Sequence, residues 1–150
     1  MNRSGSSERI PRLALDTSAW SKLRSGDTRV RDLIADAESV LVPAPVLGEL
    51  HGACELGSRT RENRVALRDF LAEPFVQVIP VTETVARHYG RVFAGLRRAG
   101  TPIPANDMWI AACTLDQGAC LLTFDHDFEV IAGLDHLVLD GIELGTDDQD

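Results

Sequence analysis

The chain has 150 residues, of which 44% are hydrophobic and 25% charged, and its net charge is −8. That is the size of one compact domain, it excludes a disordered chain, and it buries enough apolar surface to fold without a disulfide or structural metal. The acidity argues against the broad basic face of a general nucleic-acid binder, although fourteen of the fifteen basic residues are Arg, which pairs well with phosphate.

Residues 1–10 are polar and Ser-rich and are expected to form a flexible tail. Residues 11–144 then read as a single domain, and 145–150 as a flexible acidic tail. Leu13-Ala14-Leu15 predicts a short strand, ended by Asp16-Thr17-Ser18, any of which can cap the helix that follows. A helix is expected over Thr28–Ala37 and a strand over Val40–Val42, closed by Pro43. Pro45 fits the first turn of a helix that runs to Leu56 and stops at Gly57. A polar helix spans Arg59–Leu71, and Val76–Ile79 is a third strand stopped by Pro80. Thr82 opens a helix to Arg98, with Gly100 as its stop. After the rigid Thr101–Pro104 loop come a helix from Ala105 to Gln117 and a strand over Cys120–Thr123. A short helix over Asp127–Ala132 and a last strand over Leu137–Leu139 complete the pattern.

Short apolar strands alternating with helices predict an α/β fold, a parallel sheet covered on both faces. Ligands of such sheets sit beyond the carboxyl ends of the strands, where the strand order reverses. Asp16 follows the first strand directly, and Asp125 and Asp127 follow the fourth. Asp107 lies in the first turn of a helix, and Glu49 in the helix after the second strand. Singly, each has an ordinary explanation: a cap for Asp16, a helix-dipole partner for Asp107, a turn for Asp125 and Asp127, a solvent-reaching side chain for Glu49. Jointly, such carboxylates would repel by about 3 kcal/mol per pair at ~5 Å, so they must take up protons or bind a cation. An all-oxygen set favours Mg²⁺ or Mn²⁺, and such a site suits phosphodiester hydrolysis.

Four stretches resemble the PIN-domain family, specifically its VapC-like ribonuclease toxins. They are Leu15-Asp16-Thr17-Ser18-Ala19, Val46-Leu47-Gly48-Glu49-Leu50, Asn106-Asp107-Met108-Trp109-Ile110-Ala111-Ala112 and Leu121-Leu122-Thr123-Phe124-Asp125-His126-Asp127-Phe128. They stand in the family's order and cover roughly residues 12 to 140. The resemblance implies a PIN-like three-layer α/β/α fold with about five parallel strands. It implies a Mg²⁺- or Mn²⁺-dependent endoribonuclease, the toxin of a toxin–antitoxin pair, that forms a homodimer and is neutralised by a VapB-like antitoxin. Carried over by position, Asp16 and Asp107 are the main metal-linked acids, Glu49 completes the cluster, and Asp125 is the fourth acid, a role Asp127 can share or take. Thr17, Ser18 and Thr123 are polar support near the phosphate or the water.

The rest of the sequence narrows the alternatives. Arg59, Arg61, Arg64 and Arg68 share a helix that either contacts RNA phosphate or is simply solvated. Trp20 and Trp109 have apolar helical neighbours and are expected to pack rather than stack bases. His51, His88, His126 and His136 show no zinc spacing, and no phosphate-binding glycine loop occurs. Cys54, Cys113 and Cys120 lie in apolar stretches as expected buried thiols, consistent with a reducing cytoplasm, and no apolar run is long enough to span a membrane. A receiver domain would need a lysine late in the sheet, and a haloacid-dehalogenase-like phosphatase an Asp-x-Asp after the first strand. Two readings stay beside the toxin: a PIN nuclease of RNA processing, and a catalytically silent interaction module.

Overall fold

A computed structural model of the protein describes residues 9–141. The elements run in the order β1 (Arg12–Leu15), α1 (Thr17–Arg24), α2 (Thr28–Asp36), β2 (Ser39–Pro43), α3 (Ala44–Leu56), α4 (Thr60–Leu71), β3 (Val76–Ile79), α5 (Glu83–Ala99), α6 (Ala105–Asp116), β4 (Cys120–Thr123) and β5 (His136–Val138). All five strands are parallel, in the order β3-β2-β1-β4-β5. The expected tails fall almost wholly outside the described residues. At the inner end of the first, Ile10 is buried in the core and the Arg9 guanidinium donates to the Asp36 carbonyl at 2.8 Å.

The strand order dictates the layers. The chain steps from β1 to β2 to β3 in one direction, then crosses back past β1 to lay down β4 and β5. Parallel crossovers are right-handed, so reversing direction sends the connecting helices to the opposite face. The result is the expected three-layer α/β/α arrangement. β1, β2 and β4 are sandwiched between layers, which is why Leu13-Ala14-Leu15, Val40-Leu41-Val42 and Cys120-Leu121-Leu122-Thr123 are continuously buried. β3, at the edge, exposes Gln77 and Val78.

Local chemistry sets the helix boundaries. Asp16, Asp27 and Thr82 each cap a helix by accepting a backbone N–H of its first turn. Gly100, in the left-handed region at φ 71°, ends α5. Two expectations shift. The segment predicted as a helix over Asp127–Ala132 is a 3₁₀ turn over His126–Val130, because Asp125 Oδ1 accepts the Asp127 N–H and winds the first residues tightly. The last strand begins one residue early, at His136, whose ring Nδ1 meets the Leu134 carbonyl at 2.8 Å.

The three cysteines are buried and none is in a disulfide. Trp20 packs on Phe70 with ring centroids 5.0 Å apart, and Trp109 stacks on Tyr89 at 3.9 Å, as their apolar neighbours implied. No helix among the described residues is long and apolar enough to cross a membrane.

Phe128 is fully buried and fastens the 3₁₀ turn to the core. Truncating a buried Phe costs about 3–5 kcal/mol. Phe128→Ala is expected to lower the urea midpoint accordingly, as followed by far-UV circular dichroism; an unchanged midpoint would show that the turn is not anchored through this ring.

Candidate active site

The switch in strand order lies between β1 and β4, whose register pairs Leu15 with Leu122. The next residues, Asp16 and Thr123, therefore emerge side by side at the carboxyl edge. Thr123 Oγ1 donates to Asp16 Oδ2 at 2.5 Å. Ser18 Oγ and the Ala19 N–H donate to Asp16 Oδ1 at 2.7 and 2.9 Å. Asp16 is thus a buried carboxylate, only 4% exposed, that ties β1, α1 and β4 together. Burial drives its carboxyl above the ordinary value against the lowering effect of those hydrogen bonds, and Asp125 adds repulsion.

The supporting residues extend this network. Thr123 Oγ1 also accepts the Asp125 N–H at 2.9 Å, and Ser18 Oγ accepts the Phe124 N–H at 2.9 Å. Asp125 Oδ1 in turn accepts the Asp127 N–H at 2.9 Å. The loop after β4 is thereby hung from Asp16 through hydroxyls. Thr17 donates to Glu49 Oε1 across from α3, which fixes the exposed end of that carboxylate. Asn106 Nδ2 donates to the Pro45 carbonyl at 3.4 Å, holding the start of α6 against the start of α3.

Asp107, Asp125 and Asp127 converge: one carboxylate oxygen from each lies within 4.8 Å of the other two. Asp107 is half-buried, and its carboxyl is pushed up to about 6, first by loss of solvent and then by the negative charges of Asp125, Glu49, Asp16 and Asp127. All five acids singled out in the sequence are therefore electrostatic neighbours. Among the described residues none of them is joined to a basic side chain by an ion pair. Asp16 lies beside the trio, and both its oxygens accept hydrogen bonds from the protein's own donors. Glu49 also stands outside it, and Asp127 stands within it together with Asp125.

This donor set fits a hard dication. Octahedral Mg²⁺ places its ligand oxygens about 3–4 Å apart, so Asp107, Asp125 and Asp127 need only small torsional adjustments to share an ion. No histidine joins the cluster; His126 instead faces Glu129 at 3.1 Å and Asp140 at 3.2 Å. The arginines of α4 are mostly neutralised nearby: Arg59 by Glu62, Arg64 by Glu55 and Arg68 by Asp69, at 3.0, 2.7 and 3.0 Å. What motif reading passed over is the Lys22–Phe124 contact at the rim, with Nζ 5.5 Å from the ring centroid. The signal available for it was the four-residue step from Ser18 to Lys22.

The raised carboxyl of Asp107 fixes a sign. Its folded value of about 6 exceeds the ordinary 3.8, so its stabilising contribution is present below about 3.8 and is lost as pH rises through about 6. In metal-free buffer at pH ~7.5, Asp107→Asn is expected to stabilise the protein by about 1 kcal/mol, much less than the unscreened shift because the group is half-exposed. Acidification from pH 7.5 to 5 should stabilise the parent more than the variant. Equal melting-temperature profiles for the two in EDTA would contradict the crowding of charge at Asp107.

The PIN domain family matches residues 13–134 of the chain. Ribonuclease VapC5 of Mycobacterium tuberculosis is 30% identical over 121 residues, which cover 79% of this chain and 87% of the relative. The crystal structure of VapBC-5 from the same organism, a member of the VapBC family of toxin–antitoxin systems, matches with a TM-score of 0.68 at 26% identity, over 85% of this chain and 98% of that one. VapBC2 from Rickettsia felis, bound to a DNA fragment from its promoter, has the same fold, with a TM-score of 0.76 at 21% identity over 86% and 99% of the two chains. With its sheet order, its acidic strand-end cluster and these likenesses, the chain belongs to the PIN-domain family and within it is a VapC-like protein of the type II toxin–antitoxin class.

Proposed function

We propose that this protein is a Mg²⁺- or Mn²⁺-dependent endoribonuclease that acts as the toxin of a toxin–antitoxin pair. The observation that carries the reading is the convergence of Asp107, Asp125 and Asp127 at the sheet's switch point, within the field of Asp16 and Glu49 and without a cationic partner among the described residues. Asp107, Asp125 and Asp127 would hold the ion, directly or through water. A dication bound there supplies the Lewis acidity that polarises a phosphoryl oxygen and makes a water nucleophilic near neutral pH.

The chain's own residues do the rest. Asp16, locked by Ser18, Ala19 and Thr123, holds the loop after β4 in place, so that Asp125 and Asp127 are presented without rearrangement. Glu49, oriented by Thr17, faces Asp107 from α3 and is placed to accept a proton at its carboxylate. The Ser18 and Thr123 hydroxyls, 3.4 Å from each other, both donate to Asp16 and brace it.

The toxin role rests on the relatives. Ribonuclease VapC5 is a likeness in sequence, and VapBC-5 is a member of the VapBC family of toxin–antitoxin systems. By that likeness the protein works in the cytoplasm as a homodimer and is silenced by a cognate VapB-like antitoxin. The crowded acids would favour an antitoxin that brings a basic side chain to the pocket, giving the cluster the positive charge it lacks.

Two outcomes are expected. Purified protein should cleave RNA in Mg²⁺ or Mn²⁺ and stop in EDTA, and Asp107→Asn or Asp16→Asn should lower the rate at least about 100-fold, the scale on which lost metal and acid–base chemistry is read. Parental rates in those variants would remove the mechanism. Mn²⁺ at about 100 times its Kd should stabilise the parent by about 2.7 kcal/mol and Asp107→Asn far less. A parent whose melting temperature ignores Mn²⁺ would point to a silent interaction module.

A further inference from the structure

RNA is a polyanion, and the pocket proposed to cut it is crowded with carboxylates. Beside the proposed dication, a cation of the chain close to the site would offset part of that repulsion. Among the arginines around α4, Arg59, Arg64 and Arg68 are poor candidates, since they already face carboxylates. Arg29, near the loop after β4, is bound to Asp27 at 2.8 Å and donates to the Asp140 carbonyl at 3.0 Å.

Lys22 and Arg29 both face the Phe124 ring, at 5.5 and 5.6 Å from its centroid, but Arg29 is already held by Asp27. Lys22 is the only lysine in the chain. It lies on α1 one turn beyond Ser18, and residues four apart on a helix share a face, about 5–6 Å between Cβ atoms. Ser18 is part of the pocket, bonded to Asp16 and to the Phe124 N–H. Lys22 is half-buried, and its ammonium sits over the Phe124 ring, 5.5 Å from the centroid. Phe124 stands between Thr123 and Asp125, so the turn that presents the acids also carries the ring that seats the cation. Lys22 makes no ion pair with another described residue, although the chain has 23 acidic side chains. Its backbone carbonyl is used at the end of α1, accepting from Asp27 N–H and Ser25 Oγ, while the three ammonium donors remain for a ligand.

We propose that Lys22, seated on Phe124 at the rim of the acidic pocket, grips an RNA backbone phosphate beside the one being cleaved and so sets how the strand enters the site. This rests on the ribonuclease reading. A lysine in the last turn of a helix also complements the helix dipole, and over an aromatic ring it gains a cation–π attraction. Those roles affect stability and leave RNA binding unchanged, so the two accounts separate experimentally.

The test uses Asp107→Asn protein, which should bind without cutting, and a fluorescein-labelled single-stranded RNA of mixed sequence, titrated by anisotropy between about 50 and 200 mM salt. Adding Lys22→Met should weaken binding about 3- to 10-fold and reduce the slope of log K against log salt by about 0.7, the value for one lost contact to single-stranded phosphate. Lys22→Arg should keep most of the affinity and the slope. In otherwise unaltered protein Lys22→Met should raise KM with kcat within about twofold, and the Mn²⁺-linked melting shift should persist. Unchanged affinity and slope in Lys22→Met, or Lys22→Arg as weak as Lys22→Met, overturns the proposal while cleavage by the parent leaves the ribonuclease reading intact. If the Asp107→Asn protein shows no salt-dependent RNA binding and the parent no cleavage, the ribonuclease reading fails and Lys22 falls with it.

Discussion

A buried carboxylate at the junction of two parallel strands organises this protein. Asp16 ends β1, caps α1, and accepts the hydroxyl proton of Thr123 at the end of β4, 2.5 Å away. Leaving such a group buried without partners would cost several kcal/mol, so its three donors are constrained as firmly as it is. Those constraints pass outward: Thr123 holds the Asp125 N–H, and Asp125 holds the Asp127 N–H. The carboxylates aimed at solvent are thereby positioned by one that is not. Asp16 lies next to the converging trio of Asp107, Asp125 and Asp127, with its oxygens hydrogen-bonded to Ser18, Ala19 and Thr123.

The same arrangement stores electrostatic tension. Asp107 feels four other acids, and its carboxyl is held up to about 6 as a result. A stable fold tolerates this because the cluster lies at a sheet edge where solvent screens part of the repulsion, and because β1, β2 and β4 beneath it are buried on both sides. Binding sites are often locally unfavourable to folding for this reason: the groups that recognise a ligand are left unsatisfied until it arrives. Part of the negative total charge is gathered in this cluster. Basic charge near the site is then a matter of placement rather than quantity, and the seating of Lys22 over Phe124 shows one such placement.

Much of this was legible from residue order alone. Buried strands had to be continuous apolar runs, and Leu13–Leu15, Val40–Val42 and Cys120–Thr123 are; helix starts needed a side-chain acceptor or a proline, and Asp16, Thr82 and Pro45 supplied them. The acids too were visible, because a parallel sheet gathers whatever follows its strands. Less visible was the 3₁₀ turn at His126–Val130, where one side-chain hydrogen bond from Asp125 outweighed a helical pattern only a turn long.

What linear order determined, then, was the element types and the short list of acids, since both depend on local propensity and on hydrophobic period. Tertiary structure alone decided where those acids stand relative to one another. The register that pairs Leu15 with Leu122 turns Asp16 into an anchor, the crossing back of the chain after β3 brings Asp107 within 4.8 Å of Asp125 and Asp127, and Thr17 reaches across to Glu49. Each of these contacts joins residues far apart in the chain, and distance and burial, which settle whether a carboxylate binds, braces or merely dissolves, are properties of packing that no local pattern encodes.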